Sequence, residues 1–315
     1  MIAKIKGTGS CVPENVVDNN ELSKMMETND EWIKDRTGIA RRHIAKGETT
    51  VSMSTEAGKR ALENANVKPE EIDLIIVSTV SSDIVLPSTA CEVQKNLGAV
   101  NATCYDMNAA CTGFLFAYNT VQAYFYAGLF KKALIIGAET LSNIVDWTDR
   151  GTAILFGDGA GAAVLECVPG EMPPMVMHSD GGAGAALTCD SPFATKEKAF
   201  VKMNGQDVFR FAVKRVPESI EELFEKGNID RNSIDYFILH QANSRIVEGI
   251  AKRLKMDISR FPMNLSEYGN TSSATIPILL DELNRQGVLK KGMKLVMAGF
   301  GAGLSWGASY LEWDL

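Results

Sequence analysis

Histidine is scarce in this chain: three in 315 residues, namely His43, His178 and His240. Chemistry that needs an imidazole therefore has few candidates. The six cysteines, Cys11, Cys91, Cys104, Cys111, Cys167 and Cys189, form no CxxC pair. That argues against a zinc knuckle and gives no disulfide framework, so no metal is expected. No apolar run reaches the ~20 residues that a membrane-crossing helix needs. The opening MIAKIKGTGS lacks the pattern of an export signal. A cytoplasmic protein with no membrane partner is the resulting expectation. Positive charge is not in excess either. The net charge is −7, which argues against nucleic acid as a partner.

What is present is ordinary globular material, 45 % apolar and 23 % charged. The length allows one large domain or two ordinary ones. Read in order, residues 2–9 predict a strand running into a glycine turn, 18–34 short helices with Asp and Asn caps, and 36–43 a basic loop. Residues 52–65 predict an amphipathic helix, 71–80 a buried strand, and Pro87 to Leu97 a helix. A strand at 103–107, a long buried helix to about Phe130, a strand at 133–137 and a glycine-punctuated strand at 153–166 follow. The remainder predicts a strand and a Gly/Ala-rich loop at 175–190, then helices at 204–226, 244–254 and 277–286. A strand lies at 232–239, and two more around a glycine loop occupy 294–313.

The chain repeats itself. EIDLIIVST at 71–79 resembles SIDYFILHQ at 233–241, and KKALIIGAE at 131–139 resembles KKGMKLVMAG at 290–299. FGDGAGAAVLE at 156–166 resembles FGAGLSWGASYLEW at 300–313, in the same order. Two similar α/β halves, at 1–170 and 171–315, are expected to pack together, with a site where they meet.

Within the first half, Cys111 stands between a short strand and a long apolar helix, in NAACTGF at 108–114. A thiol at the mouth of a helix faces unpaired N–H groups and the positive end of the helix dipole, which favours thiolate near neutral pH. The competing reading is a buried structural cysteine.

Six segments together resemble the β-ketoacyl-[acyl carrier protein] synthase III family of thiolase-fold condensing enzymes. They are DEWIKDRTGIARRHIA at 30–45, MNAACTGFLFA at 107–117, GDGAGAAVL at 157–165, LHQAN at 239–243, YGNTSSATIP at 268–277 and FGAGLSWG at 300–307. The resemblance implies an α/β thiolase-like fold, with its duplicated halves stacked as αβαβα layers. It implies a decarboxylative Claisen condensation of an acyl-CoA starter with malonyl-acyl carrier protein, initiating fatty acid synthesis. No bound cofactor and a homodimer are expected with it.

The family's Cys-His-Asn triad falls on Cys111, His240 and Asn270. A thiolate suits an acyl-carrying nucleophile. An imidazole N–H and a carboxamide N–H suit the enolate oxygen left by decarboxylation. The oxyanion hole falls on the backbone amides of Cys111 and Ala302, and Phe300 matches a Phe that excludes water. Thr28, Trp32, Arg36, Arg150, Gly205, Phe209 and Asn243 match CoA-binding positions. Arg210, Lys214 and Arg215 on one helix, and Arg245, Lys252, Arg253 and Lys255 on another, are candidates for docking an acidic carrier protein; solvated charged faces are the plainer reading. Leu86 matches a residue that limits chain length across a dimer interface. Leu in place of a common Phe implies tolerance of starters longer than acetyl, including branched ones. Absence of a cysteine after Cys189 disfavours degradative thiolases. The alternatives are a starter-condensing enzyme of a polyketide or other specialised pathway, a Cys-dependent acyl hydrolase, and a non-catalytic acyl-binding module.

Overall fold

A computed structural model of the chain describes residues 1–191 and 199–315. Its first sheet has the order β1-β7-β6-β4-β5, with β1 Ile2–Cys11, β4 Leu74–Ser78, β5 Thr103–Met107, β6 Lys132–Glu139 and β7 Gly159–Val168. The second has the order β11-β12-β13-β8, with β8 Met175–Ser179, β11 Tyr236–Leu239, β12 Lys294–Gly301 and β13 Ser305–Glu312. Two-stranded ribbons join β2 Val16–Asp18 to β3 Arg41–His43, and β9 Leu187–Cys189 to β10 Val201–Met203.

The repeat in the sequence is a repeat in topology. β4 runs parallel to β6, β6 antiparallel to β7 and β7 antiparallel to β1. In the second sheet β11, β12, β13 and β8 pair with the same senses. The inner strands are apolar throughout; all five residues of β4, LIIVS, are buried, as expected where helices cover both faces.

Helices Gly113–Tyr126 and Thr275–Arg285 lie between the two sheets. Their apolar faces pack with Ile5, Leu74, Ile76, Leu295 and Met297 into one core. Helices Thr50–Ala65 and Thr89–Leu97 cover the outer face of the first sheet, and Gly205–Gly227 and Ser244–Leu254 that of the second. The layers therefore run α, β, α, β, α, as expected. Each sheet alone leaves an apolar face open, and the central helix pair closes both.

Four local expectations change. Gly7 and Gly9 do not turn the chain but sit inside β1. A Cβ at either would come within 2.4 Å of the backbone of helix Thr50–Ala65; the glycines admit that close helix. Arg41–His43 is a strand rather than a loop, because it pairs with Val16–Asp18. Arg42 is fully buried, its guanidinium donating to the carbonyls of Val17 and Ile154 and to Asn19 Oδ1. Finally, Arg150–Ala153 is a helical turn capped by Asp149, so the strand begins only at Gly159. Helix Thr89–Leu97 starts from the Ser88 cap rather than at Pro87.

Candidate active site

β5 delivers the chain to Ala110–Thr112, a single tight turn ahead of helix Gly113–Tyr126. Cys111 is in that turn and is 8 % exposed. The turn forces Ala110 to φ 46°, the left-handed region that costs a side-chain-bearing residue ~1 kcal/mol or more. Thr112 pins the turn by donating to the Ala109 carbonyl at 2.7 Å and by pairing with Ser305 Oγ at 2.8 Å.

The second half supplies the surroundings. His240 follows β11 and extends its ladder by donating its N–H to the Ala298 carbonyl at 2.9 Å. Its Nδ1 lies 2.7 Å from Thr275 Oγ1, and its ring meets Phe300 edge-on at 5.2 Å. Asn270 is held through its backbone, which bonds to Leu155 and Gly157. Its Oδ1 accepts from the Ser272 N–H at 2.9 Å. That leaves the carboxamide NH2 as the donor offered to the cavity. Gly301 passes so close that a Cβ would lie 2.8 Å from the Cys111 nitrogen. Among the described residues, neither the Cys111 nor the Ala302 amide donates to a backbone carbonyl. Both residues line one cavity.

Two cavities meet at Cys111. One, of about 830 Å³, reaches from Trp32 and Arg36 past Phe209 and Asn243 to His240, Asn270 and Phe300. The other, of about 720 Å³, leaves Cys111 on the side of Ala302, between Leu141, Ile144, Phe156, Leu187 and Val201. Both fall in the range of small-molecule sites, and both are mainly apolar-lined.

Burial sets the titration of the site. The Cys111 thiol is pushed up to about 12, mainly by desolvation, with the Glu139 charge adding to it and the Ser272 hydrogen bond opposing it. The expected thiolate near neutral pH runs against this direction: in the turn ahead of the helix, burial favours the neutral thiol. Alkylation of Cys111 by iodoacetamide should rise about tenfold per pH unit between pH 7 and 9, without levelling off. A plateau near neutral pH would mean that the thiolate is already formed. His240 is pushed down to about 3 by burial, so it is a neutral imidazole at any working pH.

The other predicted residues divide. Trp32, Arg36, Gly205, Phe209 and Asn243 share the larger cavity. Arg150 and Arg36 both lie over the Trp32 ring, at 4.6 and 5.6 Å. Asn243 caps helix Ser244–Leu254 and donates to the Arg36 carbonyl at 3.0 Å. Thr28 lines neither cavity, although its hydroxyl is buried without a hydrogen-bond partner. Leu86 is 85 % exposed and lines neither cavity. Arg210, Lys214, Arg245, Lys252, Arg253 and Lys255 are exposed on two adjoining helices. Arg215 turns inward over Trp306 at 5.3 Å and meets Glu218 at 3.1 Å. Arg253 shares Glu218 at 3.5 Å and Arg210 faces Asp207 at 3.7 Å. Ser272, Thr275 and Glu139 are the polar side chains that sequence reasoning missed. Two of them stand in the quoted segment YGNTSSATIP, but nothing in the spacing marks them out.

Residues 105–183 match the 3-oxoacyl-[acyl-carrier-protein] synthase III family, and residues 224–313 match its C-terminal region. The chain is 47 % identical to a β-ketoacyl-[acyl-carrier-protein] synthase III of Clostridium acetobutylicum, over 98 % of each. It superposes on the crystal structure of 3-oxoacyl-[acyl-carrier-protein] synthase III from Aquifex aeolicus with a TM-score of 0.95 and 40 % identity, covering 99 % of this chain and 100 % of that one. The priming β-ketosynthase of the R1128 polyketide pathway gives the same TM-score, 0.95, at 35 % identity, covering 99 % of this chain and 96 % of that one.

Proposed function

Since the chain belongs to the 3-oxoacyl-[acyl-carrier-protein] synthase III family, we propose that Cys111, His240 and Asn270 carry out its condensation in two stages. The enzyme is an acyltransferase that joins an acyl-CoA starter to malonyl-acyl carrier protein and releases CO2 and a β-ketoacyl-carrier protein. The observation that carries the residue assignment is convergence. Cys111 from one half, and His240 and Asn270 from the other, line a single cavity that runs to the Trp32 and Arg36 mouth.

In the first stage the acyl-CoA lies in that cavity, with its nucleotide end at Trp32, Arg36 and Arg150. The aromatic face and guanidinium groups there suit a base and its phosphates. Cys111 Sγ attacks the thioester carbon. The developing oxyanion sits between the amides of Cys111 and Ala302, and CoA departs. The acyl chain extends into the second cavity. In the second stage the malonyl thioester occupies the cavity that CoA left. Loss of CO2 gives an enolate whose oxygen takes N–H donors from Asn270 and His240, and its carbon attacks the acyl-Cys111 thioester. For His240 to donate from Nε2, the Thr275 hydroxyl must turn from the Ser272 carbonyl, to which it donates at 3.0 Å, and donate to Nδ1 instead. Phe300, packed on His240, keeps water from the acyl-enzyme, which speaks against a hydrolase.

Lys214, Arg245, Lys252 and Lys255 offer the carrier its basic face, with Arg210 and Arg253 at the edge and Arg215 held inward. A homodimer in which exposed Leu86 reaches the second cavity of its partner is part of the same proposal. Incubation with mixed acyl-CoAs, followed by intact mass spectrometry, tests it. The expected adducts on Cys111 include chains longer than acetyl, since the second cavity is about 720 Å³. Acetyl alone would overturn the starter assignment. A starter role in a polyketide pathway uses the same chemistry, and which carrier protein accepts the product separates the two.

A further inference from the structure

An oxyanion hole works only when its donors are already spaced for the charge that develops, each within about 3 Å of the same oxygen. Here the two proposed donors belong to different halves of the chain. The Cys111 amide is in the Ala110–Thr112 turn of the first half. The Ala302 amide is in the loop between β12 and β13 of the second. Gly301 brings the two segments into contact, since a Cβ there would lie 2.8 Å from the Cys111 nitrogen. Contact between small groups does not by itself fix a register, because a loop can slide on a turn.

One pair of hydroxyls joins them. Thr112, next to Cys111, is fully buried, and Ser305 is 5 % exposed. The Thr112 proton goes to the Ala109 carbonyl at 2.7 Å. Ser305 is therefore the donor within the pair, its proton shared between Thr112 Oγ1 at 2.8 Å and the Ala302 carbonyl at 3.2 Å. A single hydroxyl thus touches the residue after the nucleophile and the residue that carries the second amide. Among the described residues this is the one hydrogen-bonded link between the Cys111 turn and the end of the β12–β13 hairpin. Both sides of the link are anchored. Ser305 opens β13 and pairs with Gly301 and Ser179, and Leu304 exchanges backbone hydrogen bonds with Asp180 at 2.7 and 2.9 Å. Thr112 leads into helix Gly113–Tyr126 in the central layer. Neither Thr112 nor Ser305 lines either cavity, so both stand behind the site rather than in it.

We propose that Thr112 and Ser305 are positioning residues that hold the two oxyanion amides at a fixed spacing across the joint between the halves. Neither hydroxyl gains or loses a proton in the reaction. Bound acyl-CoA asks little of the hole, because its thioester oxygen carries no full charge. The tetrahedral adduct asks for both amides at once. Loosening the link therefore raises the energy of the adduct and leaves the bound thioester nearly as it was. Acyl-CoA takes its other contacts in the larger cavity, away from the pair.

The inference rests on the proposed acylation of Cys111, and the test keeps the two apart. Single-turnover release of CoA gives both the rate constant of loading and the acyl-CoA concentration that half-saturates it. In Ser305→Ala and in Thr112→Val the rate constant should fall about tenfold, with half-saturation unchanged. The double variant should be no slower than the slower single one, because either change opens the same link. Thr112→Ser keeps the hydroxyl and should load at the wild-type rate. A rate constant unchanged in Ser305→Ala, even with a lower melting temperature, overturns the proposal and leaves the pair a structural bond. Losses that multiply in the double variant overturn it too. Should Thr112→Val melt early, since its hydroxyl also braces the turn, Ser305→Ala decides alone. Wild-type enzyme without any acyl adduct on Cys111 would instead sink the two-stage reading itself.

Discussion

Cys111→Ala should leave the protein folded and carry no acyl group after incubation with acyl-CoA, with turnover reduced by roughly 10⁴-fold or more. The size follows from the chemistry. Without the thiol no covalent intermediate can form, and the malonyl-derived carbanion would have to attack acyl-CoA directly in a site shaped for two sequential occupants. The fold should tolerate the change, because among the described residues Cys111 makes only one side-chain hydrogen bond and alanine keeps the backbone that Thr112 pins. Intact mass spectrometry reads the adduct and thermal melting reads the fold. An acylated Cys111→Ala protein would place the nucleophile elsewhere; the other cysteines are Cys11, Cys91, Cys104, Cys167 and Cys189.

His240→Ala and Asn270→Ala should each lower kcat/KM for malonyl-carrier protein by about 10²–10³-fold and leave acyl loading much less affected. In the proposed mechanism both side chains offer neutral donors to the enolate oxygen, a charge that exists only in the second stage, so their removal should be felt there. The burial that holds His240 near 3 adds a sign to this. His240 gains no proton as pH falls through the ordinary histidine range, so the condensing stage should show no acid limb from it near pH 6.5. Burst release of CoA measures loading, and CO2 release measures the second stage. Equal loss in both stages, or an acid limb near pH 6.5 that vanishes in His240→Gln, would contradict this division.

Much of this was legible in the residues. The duplicated strands at 71–79 and 233–241 announced a repeated fold because β-sheet cores demand continuous apolar runs in a fixed order. The segments around Cys111, His240 and Asn270 named the candidate triad through their resemblance to the family. The glycines of β1 were misread, since a glycine that admits a packed helix and a glycine that turns the chain look alike until the helix is in place. Arg42 was misread for a related reason. In RTGIARRH at 36–43 it reads as part of a basic loop, yet the fold closes carbonyls around it.

By itself, then, the sequence determined the layered α/β fold and named Cys111, His240 and Asn270 as the candidate residues, since these depend on residue type and order along the chain. The tertiary structure alone decided the state of the thiol. Its proton affinity depends on water excluded by residues from both halves and on Glu139, 28 positions further along the chain. It also decided the partner of the thiol. Ser272 reaches Cys111 across 161 positions of sequence, because Gly137 lets the second half's turn rest against the first half's sheet. Proximity of that kind is a property of packing, and no local pattern encodes it.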